Sequence, residues 1–592
     1  MSRLSVQYEK GREASMYRSR SILFGMLFAI PLSACLVLGA QLERSDHLTP
    51  DLPGAALFVI LAVILSIITT LSLRWQPAAT TGADPDGTGA EPDGAAKEPP
   101  ASETAADRNG GGRREYLKLW AAIALPNLIV LLGVYPGFFV YDAQDELMEV
   151  VTRTFTTHHP LSHVLALGGV ISAIHKVTGS WNAGIFGYLL LQMLFITATE
   201  AAILKILRRA GLPRFLMIAS AVWYAVFPTV VMYHLSSTKD GLFAAFMTLY
   251  VTGVLMILYS RKGWDRTDMP AGPSDATRGS DTLPLWGLTA VSGVCAMLLR
   301  NNACYAMLVF AGFLLLCALV SGPRRRRYRK LAAIIIISIV IYYALNFLLI
   351  RVTHASDEEH QESITVAIQT LGRAWQYHPE QFDEADREIL FRYLTEDGLS
   401  RYELRNSDYL KSTFQNAYYE ENAADFWRLW IRIGRRCPAT YLNGWLLTSY
   451  GLWYPFAVNN VYEGHAVFTF TYEDSSYFGY ETEEPGIRHS LIPPIDAFYR
   501  FLSLDPAIQR IPVLSLLFAP AFYFWLYLYF VIRRLCQKRG SEVIPFVPLF
   551  LLWATHLIGP SYLVRYALWF FTTLPVLGYM VSGSCFAVPP EK

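Results

Sequence analysis

Cysteine is scarce and scattered in this chain. There are seven in 592 residues, mostly inside apolar runs, and only Cys437 falls well within the large polar segment. No disulfide framework follows from that. Asn-x-Ser/Thr is absent altogether, which favours a bacterial plasma membrane over a eukaryotic secretory one. Net charge is missing too, since 50 Lys plus Arg against 49 Asp plus Glu leave +1. Without a basic face, a nucleic-acid partner is excluded. Charged residues are only 17 % of the chain and apolar ones 53 %, so long hydrophobic runs are what the sequence does have.

Several runs hold roughly 18 to 22 apolar residues with few charges, enough to span a hydrocarbon core. Twelve read as spans: 21–41, 54–74, 116–134, 181–207, 214–232, 241–259, 283–299, 303–321, 331–350, 512–532, 543–557 and 566–580. The predicted fold class is an all-α polytopic membrane protein with about twelve transmembrane helices. Lysine and arginine in the short loops orient it. Basic clusters occur at Arg3 to Arg20, Lys205 to Arg214, Arg261-Lys262, Arg324 to Lys330 and Arg533 to Arg539. Twelve spans put all five on one side, so both termini are expected in the cytoplasm. A thirteenth span at 159–178 would break that agreement, so this stretch is predicted to lie at the outer surface, with His163 and His175-Lys176 near the headgroups. Leu32-Ser33-Ala34-Cys35 resembles a bacterial lipoprotein box, yet the apolar run continues past Cys35 and no small-residue cleavage site follows.

The chain divides into an N-terminal two-span hairpin (1–75), a linker (76–115), a transmembrane core (116–350), an extracytoplasmic domain (351–511) and a C-terminal three-span segment (512–592). Residues 76–112 are rich in Gly, Ala, Pro, Asp and Glu and cannot bury a core, so a disordered cytoplasmic linker is expected; 263–282 reads the same way. The 351–511 segment carries 24 Asp plus Glu against 14 Lys plus Arg. Within it, apolar residues at three- and four-residue spacing predict helices over 362–377 and 414–436, broken at Cys437-Pro438. The apolar, aromatic stretch 439–456 is expected to pack on the membrane side of that domain.

Four polar clusters fall at the predicted outer ends of spans. Tyr141-Asp142 follows the third span, with Asp145 and Glu146 within one further turn. A carboxylate in apolar surroundings can serve as general base toward a hydroxyl. Glu146 reads as a solvated charge on a surface helix. His158-His159-Pro160 offers two imidazoles for a phosphate or acceptor contact; adjacent histidines are poorly placed to share a metal, and no third ligand is spaced to help. Lys239-Asp240 begins the sixth span, where Lys239 can snorkel and Asp240 can cap the helix, or the pair can hold a phosphate group. Arg300-Asn301-Asn302 and Arg565-Tyr566 occupy later outer turns, against the positive-inside bias. Three cations at one depth suit a lipid-linked phosphate. Glu200 and Lys205 are expected to pair or snorkel near the inner side.

Together, the loop carboxylate, the surface helix, Lys239-Asp240, Arg300-Asn301-Asn302 and Arg565-Tyr566 resemble the C-type (GT-C) membrane glycosyltransferases. The likeness spans about 116–580 and is closest to the bacterial branch related to O-antigen glucosyl transferases and lipid A aminoarabinose transferases. It implies a polyprenyl-phosphate sugar donor, a cell-envelope glycan or lipid acceptor, and inverting transfer at the outer face. By that likeness Asp142 matches the loop carboxylate, while Lys239, Arg300 and Arg565 hold the donor phosphate. Relatives often place acidic residues in two separate outer loops, so the base stays open among Asp142, Asp145 and Asp240. A divalent cation stays open as well. Two other readings remain: a polysaccharide polymerase or ligase using lipid-linked oligosaccharide, and a transporter or flippase, whose sites usually lie at the midplane.

Overall fold

The computed structural model of the protein describes residues 2–49, 51–75, 105–140, 142–259, 283–322, 324–357, 360–458, 488–504 and 507–582. Outside them lie Tyr141, residues 76–104 of the expected linker, and all of 263–282. Apolar runs that must satisfy their backbone polar groups away from water form helices. The described residues accordingly show no strand, only isolated bridges between Phe138 and Ser236 and between Thr156 and Ser356.

The first half of the chain comprises α1 (Ser2–Ser45), α2 (Leu52–Arg74), α3 (Ala105–Gly133), α4 (Ala143–Thr152), α5 (Leu161–Thr178), α6 (Trp181–Ala210), α7 (Arg214–Val226), α8 (Pro228–His234), α9 (Lys239–Tyr259), α10 (Leu283–Leu299), α11 (Asn302–Val320) and α12 (Arg325–Thr353). A helical domain follows: α13 (Thr365–Tyr377), α14 (Glu384–Tyr393), α15 (Glu396–Ser400), α16 (Asp408–Lys411), α17 (Asn416–Arg436) and α18 (Pro438–Ser449). The chain returns through α19 (Pro493–Leu504), α20 (Ala507–Arg510), α21 (Pro520–Cys536), α22 (Val547–His556), α23 (Leu568–Thr572) and α24 (Leu574–Val581).

Nine helices among the described residues are long and apolar enough to cross a membrane, or ten if the bent pair α7–α8 counts as one. The expected twelve are met in part. Residues 512–532 become α-helical only from Pro520, and 543–557 form a 3-10 stretch before the ten-residue α22. Pro520, Pro545 and Pro548 account for this, since each removes a backbone donor and crowds the preceding turn. The α7–α8 break has the same origin. Phe227, before Pro228, is extended (φ −68°, ψ 118°), and the axis turns by 61°.

Helix α3 starts at Ala105, earlier than the span predicted from Tyr116, so the end of the expected linker is helical. Helix α5 differs from expectation. Counted among those nine by length and apolarity, it runs antiparallel along the first half of α6, His163 meeting Tyr188 at 3.0 Å. Gly184 and Gly187, lacking a Cβ, admit Ile171 and Ile174 of α5 at close range. His163 is therefore buried rather than among headgroups. Burial also sorts the spans: 89 % of the apolar window of α9 is buried, against 11 % of that of α2, which places α9 at the centre and α2 at the rim.

One end of the bundle gathers the basic clusters. Arg20 donates to the Leu535 carbonyl at 2.7 Å, Arg324 to Ser541 Oγ at 2.7 Å, Arg534 to the Met580 carbonyl at 2.7 Å, and Tyr579 to the Ala210 carbonyl at 3.2 Å. At the opposite end stands the helical domain, built on Ile368, Leu371, Leu390, Tyr393, Phe426, Leu429 and Ile433. The hairpin α1–α2 is not detached from this body. From Arg20 to Glu43 α1 climbs about 35 Å, and there Tyr450 donates to Glu43 at 2.6 Å while Arg405 reaches Asp46 at 2.6 Å. Helix α18 and the turn after it rest on the last spans, as expected for 439–456, with Trp445 donating to the Leu557 carbonyl at 2.7 Å and Trp525 to that of Trp453 at 2.8 Å.

Candidate functional site

A short backbone pairing assembles the site. Phe138 N–H donates to the Leu235 carbonyl at 3.0 Å, and Ser237 N–H to the Phe138 carbonyl at 2.9 Å. The Ser237 hydroxyl accepts from Val140 N–H at 3.1 Å. The loop leaving α3 is thereby laid along the turn between α8 and α9, which sets the start of α4 beside the start of α9. Gly137 permits the crossing: its φ is +118°, and a Cβ there would collide with Leu189. Residues 489–491 hold the loop from its other side, His489 N–H donating to the Tyr135 carbonyl at 2.8 Å.

Asp142 stands at the N-terminus of α4, and one of its oxygens, Oδ2, receives two cations. Lys239 Nζ donates to it at 3.0 Å and an Arg565 Nη lies at 3.3 Å. Burial pushes the Asp142 carboxyl up, but Arg565, Lys239 and His159 together outweigh it and hold the group well below the usual carboxylate range. Asp240, 1 % exposed, is gripped by Arg300 through Nε at 2.8 Å and through a second guanidinium nitrogen. Its other oxygen accepts no hydrogen bond among the described residues and faces Arg565 at 3.9 Å. The guanidinium of Arg300 lies over the rings of Phe243 and Tyr566 at 5.6 and 5.1 Å.

Glu146 corrects the reading of it as a solvated surface charge: it is 1 % exposed. One oxygen is bonded to His163 Nδ1, and the other faces Lys239 at 3.8 Å and His159 at 3.9 Å. Burial raises its pKa, and His163, Lys239 and His159 reverse the effect, so the net direction is down. The i, i+4 spacing of Asp142 and Glu146 was the available signal, because it puts both on one helix face. His163 and Tyr188 had no such signal. Lys239 likewise does not snorkel but turns inward to the two carboxylates of α4.

The other candidates divide. His159 is buried and its imidazole is driven down to about 4, first by burial and then by Lys239. His158 is exposed and stacks edge-on against His159 at 4.5 Å. Asp145 is half-buried, its carboxyl raised by burial and by the Asp142 charge. Asn302 donates to Thr555 at 2.9 Å and meets His556 at 3.2 Å, and His556 stacks on Tyr566. Asn301 turns away, accepting from Tyr342 on α12 at 3.1 Å. The cations expected to await a phosphate already face carboxylates: Asp142, Glu146 and Asp240 match Lys239, Arg300 and Arg565 one for one.

A third metal ligand does exist, contrary to the spacing argument. Ligand atoms of Asp142, Glu146 and His159 lie within 4.8 Å of one another. The Lys239 ammonium, 3.0 Å from Asp142 and 3.8 Å from Glu146, already supplies a cation between them. A divalent ion fits this set only with Lys239 swung away.

Fold and site together define a multi-pass, all-α membrane protein with a charge-matched cluster at one end of its bundle. Residues 149–582 match DUF6020, a family of unknown function, and the chain belongs to that family. The match takes in His159, Lys239, Asp240, Arg300 and Arg565, and begins just after Asp142 and Glu146. No curated protein and no solved structure matches the chain.

Proposed function

We propose that this protein is a GT-C-type membrane glycosyltransferase, moving a sugar from a polyprenyl-phosphate donor to a cell-envelope glycan or lipid at the outer face of a bacterial plasma membrane. What supports the reading is the convergence of Lys239 and Arg565, far apart in sequence, on one oxygen of Asp142 at 3.0 and 3.3 Å. A donor phosphate bound by those two cations takes them from Asp142. Relieved of them, the half-buried carboxyl rises in pKa and becomes a competent base. The acceptor oxygen then bonds to the anomeric carbon while the bond from that carbon to the phosphate oxygen breaks, inverting the centre. The bonding pair leaves on the phosphate, stabilised by Lys239 and Arg565, and the acceptor proton passes to Asp142. Asp145 and Asp240 are the alternative bases.

Single-turnover transfer from a radiolabelled polyprenyl-phosphate sugar to envelope acceptor tests this. Asp142→Asn should bind donor yet lose on the order of 10²–10⁴-fold in rate. Near-normal transfer in that variant moves the base to Asp145 or Asp240. No transfer by the wild type from any monosaccharyl donor, but activity with an oligosaccharyl diphosphate, identifies a polymerase or ligase. Transport has one observation in its favour, the ionisable pair Glu200–His234 inside the bundle; solute uptake by loaded vesicles is its arm.

A further inference from the structure

Away from the charged cluster, three polar side chains meet inside the bundle: Asn127 of α3, Glu200 of α6 and His234, the last residue of α8. All are buried, at 0, 1 and 2 % exposure. Glu200 was expected to pair with Lys205 or to snorkel. Instead Lys205 turns to the Gly112 carbonyl at 2.9 Å, and Glu200 Oε1 lies 3.0 Å from His234 Nε2.

The hydrogen bonds fix where the protons are. Asn127 Nδ2 donates to two carbonyls, those of Ile123 at 2.9 Å and Tyr224 at 3.3 Å, so its oxygen is what faces His234 Nδ1 at 3.0 Å. An oxygen acceptor there requires a proton on Nδ1. The contact between His234 Nε2 and Glu200 Oε1 then needs one proton more, carried by either atom. With one proton between them the pair is neutral overall. Gaining a second proton, or losing the one, leaves a lone charge in an apolar interior, which is costly.

We infer that Glu200 and His234 form a site for a single shared proton, and that holding it positions the turn that carries Lys239 and Asp240. His234 is five residues from Lys239. Gln192 Nε2 donates to the His234 carbonyl at 3.2 Å and to the Ser236 carbonyl at 2.6 Å, so the ring's anchorage passes directly into the backbone that pairs with Phe138. Glu200 Oε2 is buried and has no hydrogen-bond partner among the described residues, so an ionised carboxylate would be poorly satisfied there. Titratable groups around the pair are Tyr224 of α7, whose hydroxyl donates to the Thr572 carbonyl at 2.6 Å, Tyr116 of α3, which donates to that of Ala198 at 3.1 Å, and Lys205 on α6 itself. Each is occupied elsewhere.

The test is nitrogen NMR on the full chain in nanodiscs with labelled histidine, the His234 signal being identified by its loss in His234→Gln. His234 should carry a proton on Nδ1, opposite the Asn127 oxygen. A bare Nδ1 overturns the proposal. Should His234→Gln fail to insert, infrared spectra of wild type and Glu200→Gln replace it. Glu200→Gln can still donate an N–H to Nε2, so it should fold and lack the band that the wild type shows: a shared-proton or protonated-carboxyl band, or a carboxylate band accompanied by a cationic His234. A fully ionised carboxylate signal lost in that variant, with His234 neutral, overturns the proposal equally. Neither readout depends on sugar transfer.

Discussion

Arg300 and Asp240 bind each other through two guanidinium nitrogens, at 8 and 1 % exposure. Removing one partner of such a pair strands a charge away from water. Arg300→Ala should therefore destabilise the protein by about 3–5 kcal/mol, rather than merely weaken a substrate contact as an unpaired outer-turn cation would. Combining it with Asp240→Ala should restore most of the loss. Thermal unfolding in detergent reads both; equal stability of Arg300→Ala and wild type would mean that the pair is not formed in solution. The sequence made the charged residues of the site visible one at a time, as outliers at the ends of apolar runs. Their pairing was not visible, because partners such as Arg300 and Asp240 are 60 positions apart and no periodicity connects them. Glu146 was misread for the same reason: its burial depends on His163, 17 positions later, folding back over it.

Among the elements, the loop from α22 to Arg565 depends on the helical domain. Ser407 N–H donates to the Pro560 carbonyl at 3.1 Å, and Tyr562 lies against Gly451, where a Cβ would overlap its ring. Gly451→Ala should push Tyr562 out and shift Arg565 from Asp142. Overpacking of this kind costs about 1–3 kcal/mol. Under the proposed function it should also slow transfer at saturating acceptor, though Gly451 touches none of the charged residues. Unchanged stability and rate would show that the loop adapts freely. Helices α9, α10 and α11 were legible to within a few residues because apolar length alone sets them. Helices α21 and α22 were not, since their prolines and aromatic packing against α18 decide where regular hydrogen bonding starts.

For the molecule as a whole, the hydrogen bonds of Arg20, Arg324 and Arg534 bring three basic clusters to the end opposite the helical domain. The positive-inside bias then predicts that end in the cytoplasm. A single cysteine at Thr88, in a background stripped of native cysteines, should resist an impermeant thiol reagent in intact cells, while one at the exposed Glu396 should react. The reverse pattern would invert the orientation and remove the outer-face reading. Hydropathy and charge were enough to assign membrane class and helical content. Three-dimensional adjacency of Asp142 to Lys239 and Asp240 came from the pairing of Phe138 with the turn after α8, and that of Arg565 from the loop held by the helical domain.

The 61° break before Pro228 bends the chain just ahead of the turn after α8. Continued straight, the seven residues of α8 would advance about 10 Å along the axis of α7. Tilted by 61°, they advance about half as far along that axis. Lys239 and Asp240, which follow that turn, have side chains only 13 and 1 % exposed, walled by protein instead of standing in water. Salt in the medium screens charges at a rim far more than charges so enclosed. Whatever anion docks there should consequently bind with an affinity that responds only weakly to ionic strength, and it must shed its own hydration on the way down.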